Sequence, residues 1–155
     1  VEWTPPSDGP ERPCVRVLRA DGTDTGIAFH GVPGGHEFNS FVVGLYNAAG
    51  PGQSIDPALA EAIAAIDRPL DLQIVVALSC TMCPELVIAA QKIAASNPLV
   101  TAKVYDVNHF PELRERYKIM SVPCLIINKA QVAFGKKTLG QLLELLAEPE
   151  DGQTG

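Results

Sequence analysis

No apolar run in the 155 residues reaches the length of a membrane-crossing helix: Leu72 to Leu78 is only strand length, and polar residues follow it. Positive charge is equally scarce. Twelve Lys and Arg against eighteen Asp and Glu leave a formal charge of −6, and Lys136-Lys137 is the densest basic cluster, so no nucleic acid or membrane partner is expected. A Gly-x-Gly-x-x-Gly fingerprint is missing, which argues against a flavin or nicotinamide module. The opening Val1-Glu2-Trp3-Thr4-Pro5-Pro6 has no basic segment leading into an apolar one, so it does not read as a signal peptide. Four cysteines, only two of them in a recognisable pair, look more like a reducing compartment than a secreted disulfide framework, and a cytoplasmic location is expected.

What is present is a globular composition. Hydrophobic residues make up 46 % and charged ones only 19 %, enough for a well-buried core rather than a disordered chain. The length allows one domain, or one small domain plus part of another. Cys14 to Leu18 and Gly26 to Phe29 read as a hairpin about the turn Asp21-Gly22-Thr23. A helix follows Gly31 to Gly35, with Phe38, Phe41, Val42 and Leu45 expected on its buried face and Gly50-Pro51-Gly52 at its end. From Asp56-Pro57, an N-cap followed by proline at the first helical position, the pattern is α-β-α-β-α-β-β-α. A strand–helix–strand unit implies a parallel pair and the short turn Asn128-Lys129 an antiparallel hairpin, giving a small mixed sheet between helices.

The chemistry concentrates in Ser79-Cys80-Thr81-Met82-Cys83-Pro84, where an apolar strand runs into a helix beginning at the second cysteine. Unpaired N–H groups and the helix dipole at such a turn favour a thiolate, which makes Cys80 the candidate nucleophile. Cys83, one helical turn later, is placed to attack the mixed disulfide and is the candidate resolving thiol. Thr81 and Met82 set the environment of that first turn, and Met82 also offers apolar contact to a docking partner. The competing readings are half a zinc site and an inert structural pair. Zinc needs four ligands, and Cys14, Cys124, His30, His36 and His109 are too scattered in sequence to supply the rest by local spacing, so no metal is expected. Cys124 reads as a small buried hydrophobe, and His36 and His109 as surface or capping residues.

Together with Val122-Pro123 at the start of the third strand, these features resemble the thioredoxin and glutaredoxin superfamily. Gly34-Gly35-His36-Glu37-Phe38, the cysteine pair, Val122-Pro123 and the Phe134-Gly135 region with Thr138 resemble, more narrowly, the N-terminal domain of the alkyl hydroperoxide reductase flavoprotein subunit. The resemblance covers roughly residues 11 to 147. It implies a thioredoxin-like three-layer α/β/α fold with a mixed sheet, preceded by part of a second, degenerate thioredoxin-like unit. The expected boundaries are 1–50 for the partial redox-inactive unit, 51–148 for the domain carrying the pair, and 149–155 for a polar tail.

The same resemblance implies that Pro123, which ordinary X–Pro preference would leave trans, is cis and holds Val122 ready to pair with an extended substrate segment. It implies that Glu37 stands in for the buried acid of thioredoxins, since Ile74-Val75-Val76 carries none. Pro13 is expected at the equivalent proline position of the first unit. The implied function is thiol–disulfide exchange that relays electrons from a thioredoxin-reductase-like flavoprotein to a peroxiredoxin-like protein disulfide. FAD and NAD(P)H are expected on a separate reductase and no cofactor on this chain. Two alternatives stay open: a glutathione-dependent glutaredoxin-like reductase and a non-catalytic docking module.

Overall fold

The computed structural model describes residues 13 to 148; the loop expected over residues 1 to 13, except Pro13, and the tail 149–155 lie outside the described residues. The order is β1 (Cys14–Leu18), β2 (Asp24–His30), α1 (Glu37–Ala49), α2 (Pro57–Ala64), β3 (Leu70–Val76), α3 (Cys83–Ser96), β4 (Val100–Asp106), α4 (Glu112–Arg116), β5 (Cys124–Ile127), β6 (Gln131–Phe134) and α5 (Leu139–Ala147). From α2 onward this is the element order read from the sequence. Asp56 caps α2 by accepting from the Ala58 N–H, and Thr138 and Gln141 form a reciprocal capping box on α5.

All six strands form one sheet in the order β1-β2-β4-β3-β5-β6. The hairpin β1–β2 is joined to the rest through β2, which runs parallel to β4, and β3 also pairs parallel with β4. On the other side β5 is antiparallel to β3 and to β6. The hairpin over residues 14–30 is thus continuous in hydrogen bonding with the part that carries the cysteine pair.

β3 lies at the centre of the four strands that follow residue 56 and is buried on both sides. Leu72, Ile74 and Val76 face the larger core with α1, α2, α3 and α5, whereas Val75 faces a smaller core with Tyr105, Phe110, Leu113 and Ile119 beside α4. Two-sided burial explains why its sequence is a continuous apolar run rather than an alternation. Each such side chain, fully removed from water, contributes roughly 1.5–3 kcal/mol.

α1 departs from its expected orientation. Phe41 and Leu45 pack on the core, but Phe38 is 61 % exposed and Val42 43 %, while Glu37, Ser40, Gly44 and Asn47 are buried. The reason is the neighbouring helix. α1 packs along α3 closely enough that a Cβ at Gly44 would stand 2.5 Å from the Gln91 side-chain oxygen, so small and polar residues occupy the contact. Hydrophobic periodicity finds a helix, but the partner decides which stripe is covered.

Candidate functional site

β3 ends at Val76, and the loop Ala77-Leu78-Ser79 delivers Cys80 to the start of α3, its N–H donating to the Ala77 carbonyl at 3.0 Å. α3 begins at Cys83 with Pro84 next, a position where the missing N–H of proline leaves no bond unmade. The two sulfurs are joined in a disulfide, with Cα atoms 5.6 Å apart. Their surroundings differ sharply: Cys80 is partly accessible, whereas Cys83 is fully buried. One sulfur can therefore meet a partner and the other only its neighbour.

The Val122-Pro123 peptide is cis, and the Cys80 sulfur sits 3.9 Å from the Val122 carbonyl oxygen. Pro123 is buried and Val122 partly so, while Thr81 and Met82 are exposed, Met82 by 54 %. The chain thus brings Cys80 and Val122, 42 residues apart, to one surface.

Glu37 is completely buried at the N-terminal end of α1. Ser40 donates a hydrogen bond to one carboxylate oxygen, and the other oxygen has no protein partner. Burial raises its carboxyl above the ordinary value, and the Ser40 hydroxyl opposes that shift. The His36 N–H donates to the Leu78 carbonyl at 2.9 Å, tying the start of α1 to the loop before Cys80. Gly35 makes that approach possible. Its φ is +53°, and a Cβ there would fall 2.6 Å from the Leu78 oxygen.

A stability test follows from the raised carboxyl. Its contribution is fully present below the ordinary value of 4.5 and is lost as pH rises through the folded-state value. Glu37→Gln, which cannot ionise, is expected to gain stability relative to wild type as pH increases across that window, as read by urea unfolding at successive pH values. Parallel curves for the two proteins would contradict this assignment.

The remaining sequence candidates are dispersed. Cys124 is buried on the α4 side, and desolvation pushes its thiol up to about 11, so it is almost wholly protonated near neutrality. The Cys14 sulfur lies 3.8 Å from His30 Nε2 across the β1–β2 pair, and His30 stacks on Tyr105 at 4.2 Å. His36 and His109 are exposed. What periodicity missed is the buried polar stripe Glu37, Ser40, Gly44 and Asn47; its spacing of three and four was visible in the sequence, but polar residues at helical spacing ordinarily signal a solvated face.

A thioredoxin domain family model matches residues 70–147, half of the chain. Among solved structures, the NTD_N/C domain of alkylhydroperoxide reductase AhpF from Enterococcus faecalis is 43 % identical, with a TM-score of 0.85 over 88 % of this chain and 66 % of that one. Among curated proteins, the F subunit of alkyl hydroperoxide reductase in Staphylococcus epidermidis is 31 % identical over 84 % of the chain and 25 % of its own length. Its Pseudomonas aeruginosa counterpart is 33 % identical over 87 % and 25 %. The chain spans about a quarter of the length of these curated relatives. No helix among the described residues is long and apolar enough to cross a membrane. With its fold, its disulfide and these matches in agreement, the chain belongs to the thioredoxin domain family and is a homologue of the N-terminal domain of alkyl hydroperoxide reductase AhpF.

Proposed function

We propose that the chain is a dithiol–disulfide electron carrier that accepts two electrons from a flavoprotein reductase and passes them to the disulfide of a peroxiredoxin-like protein. The observation that carries this reading is the unequal pair, Cys80 partly open beside Val122 and Cys83 sealed behind it. In the reduced form the Cys80 thiolate attacks the partner disulfide. One partner sulfur leaves as a thiolate, and a mixed disulfide forms. Cys83 then gives up its proton and attacks the Cys80 sulfur, regenerating the Cys80–Cys83 bond and releasing the second partner sulfur. The partner gains two electrons and the pair loses two. FAD and NAD(P)H belong to the reductase that restores the dithiol.

Glu37 is proposed as the acceptor of the Cys83 proton. Gly44 abuts Gln91, and His36 is tied to Leu78, so α1 runs alongside α3 in the same direction; Glu37 lies seven residues before Gly44 and Pro84 seven before Gln91, which supports a position for Glu37 near the first turn that holds Cys83. A raised carboxyl is better matched to receiving a proton from a thiol than an ordinary one. Val122 has no backbone hydrogen bond of its own among the described residues, leaving its N–H available to an extended segment. Thr81 and Met82 line the approach, and the exposed Phe38 and Met120 add apolar surface. The thiols Cys14 and Cys124 suit a reducing, cytoplasmic setting.

Residues 1–50 are proposed as a remnant of a second unit of the same kind. Pro13-Cys14 opens a hairpin whose far end returns Gly31 N–H to the Pro13 carbonyl at 2.8 Å, just as Gly135 N–H returns to Pro123 at 3.0 Å, and each hairpin leads into a helix.

Trapping tests the relay. A Cys83→Ser protein mixed with an oxidised two-cysteine peroxiredoxin is expected to accumulate a covalent adduct through Cys80, detected by non-reducing electrophoresis and peptide mass mapping. Adduct formation only with glutathione disulfide would instead support a glutaredoxin-like reductase.

A further inference from the structure

Away from the disulfide, α2, α3 and the start of α5 enclose an open groove of about 610 Å³, within the range of small-molecule sites. We propose that it binds a small carboxylate bearing an aliphatic chain, held by Lys92. This site is independent of thiol chemistry.

Lys92 is only 9 % exposed, yet no carboxylate lies within ion-pair reach of it and no hydrogen bond satisfies it among the described residues. Its stem is packed along most of its length while Nζ is not among the side-chain atoms shut off from water, so an incoming anion can reach the ammonium. The turn after α1 closes beside it: a Cβ at Gly52 would stand 3.3 Å from Lys92 Nζ. That turn is fixed by the Asn47 carboxamide, which accepts from the Gln53 N–H at 2.7 Å and donates to the Gln53 side-chain oxygen at 2.8 Å. The ammonium therefore lies beside a turn fixed by its own hydrogen bonds, and both Lys92 and Gln53 line the groove.

The rest of the lining selects the remainder of the ligand. Ile55, Leu59, Ile88 and Leu139 make the walls apolar. Glu85, two turns before Lys92 on α3, stands roughly 10 Å away along the helix and repels an anion from the far end. A carboxylate at Lys92 with its chain along the walls satisfies each of these features. The chain as a whole is negative, so its overall field does not draw the anion in; the attraction must be local.

Octanoate is the probe, titrated calorimetrically against the whole chain with the Cys80–Cys83 disulfide intact. One equivalent is expected to bind saturably. Lys92→Met is expected to weaken binding roughly tenfold or more, the worth of a charge-assisted hydrogen bond, and octan-1-ol to bind more weakly by a similar factor. Ser54→Glu places a competing carboxylate on the exposed rim of the groove and is expected to weaken octanoate even if Lys92→Met fails to fold. Absence of saturable binding at millimolar octanoate overturns the proposal, as does octan-1-ol binding as tightly as octanoate. Affinity unchanged in Ser54→Glu, or in a folded Lys92→Met protein, overturns it equally.

Discussion

Cys80→Ser is expected to lower the rate of reduction of a peroxiredoxin-type disulfide by on the order of a thousandfold or more, to the level of the uncatalysed exchange. A serine hydroxyl does not ionise near neutrality and cannot form the mixed disulfide. Cys83 cannot substitute, because it is fully buried and has no route to a protein partner. The loss should be one of chemistry, not folding. Closing so short a loop stabilises by about 2 kcal/mol in the chain-entropy account, so Cys80→Ser should unfold like reduced wild type. Both readings come from one preparation: dithiol-driven turnover of the oxidised partner, and urea denaturation beside the reduced wild-type protein. A variant that retained wild-type turnover would make the cysteine pair incidental and leave a docking module as the better description.

The second large effect is expected at a residue with no side chain. Gly35→Ala should destabilise the protein by about 2–4 kcal/mol, combining the cost of a left-handed backbone with that of forcing atoms apart in a packed contact. The added methyl would lie 2.6 Å from the Leu78 oxygen and 3.1 Å from the Leu78 Cβ. Relief requires α1 to withdraw from the loop before Cys80, breaking the His36 to Leu78 bond. Exchange activity should therefore fall together with stability. Gly22→Ala is the control, since its φ is +89° but nothing lies within 4 Å of the added atom. It should lose only the conformational part, about 1 kcal/mol, with activity intact. Equal losses in the two variants, measured by denaturation, would mean that the contact with Leu78 does not matter.

These two substitutions divide what can be read locally from what cannot. Cys80 and Cys83 announce themselves by spacing and by their place between an apolar run and a helix. Gly35 reads in the sequence only as a helix-preceding turn; its importance comes from Leu78, 43 positions later, lying against it. The same distinction separates β3, recognisable as a strand buried on both faces because every residue from Ile74 to Val76 is apolar, from α1. There helical periodicity puts Phe38 and Val42 inside, yet they lie outside, because packing against Gln91 of α3 admits only Gly44 and its polar neighbours.

The sequence by itself determined the elements and their order from residue 56, the hairpin before them, and the reactive pair, because helix and strand periodicity, caps and a Cys-x-x-Cys at a helix start are encoded by neighbours. Tertiary structure alone decided that β2 runs beside β4 to make one six-stranded sheet, that Cys83 is sealed while Cys80 faces Val122, and that Glu37 is buried with a raised carboxyl. Each of those depends on which surfaces exclude water from which. That is a property of segments far apart in the chain, and no local pattern carries it.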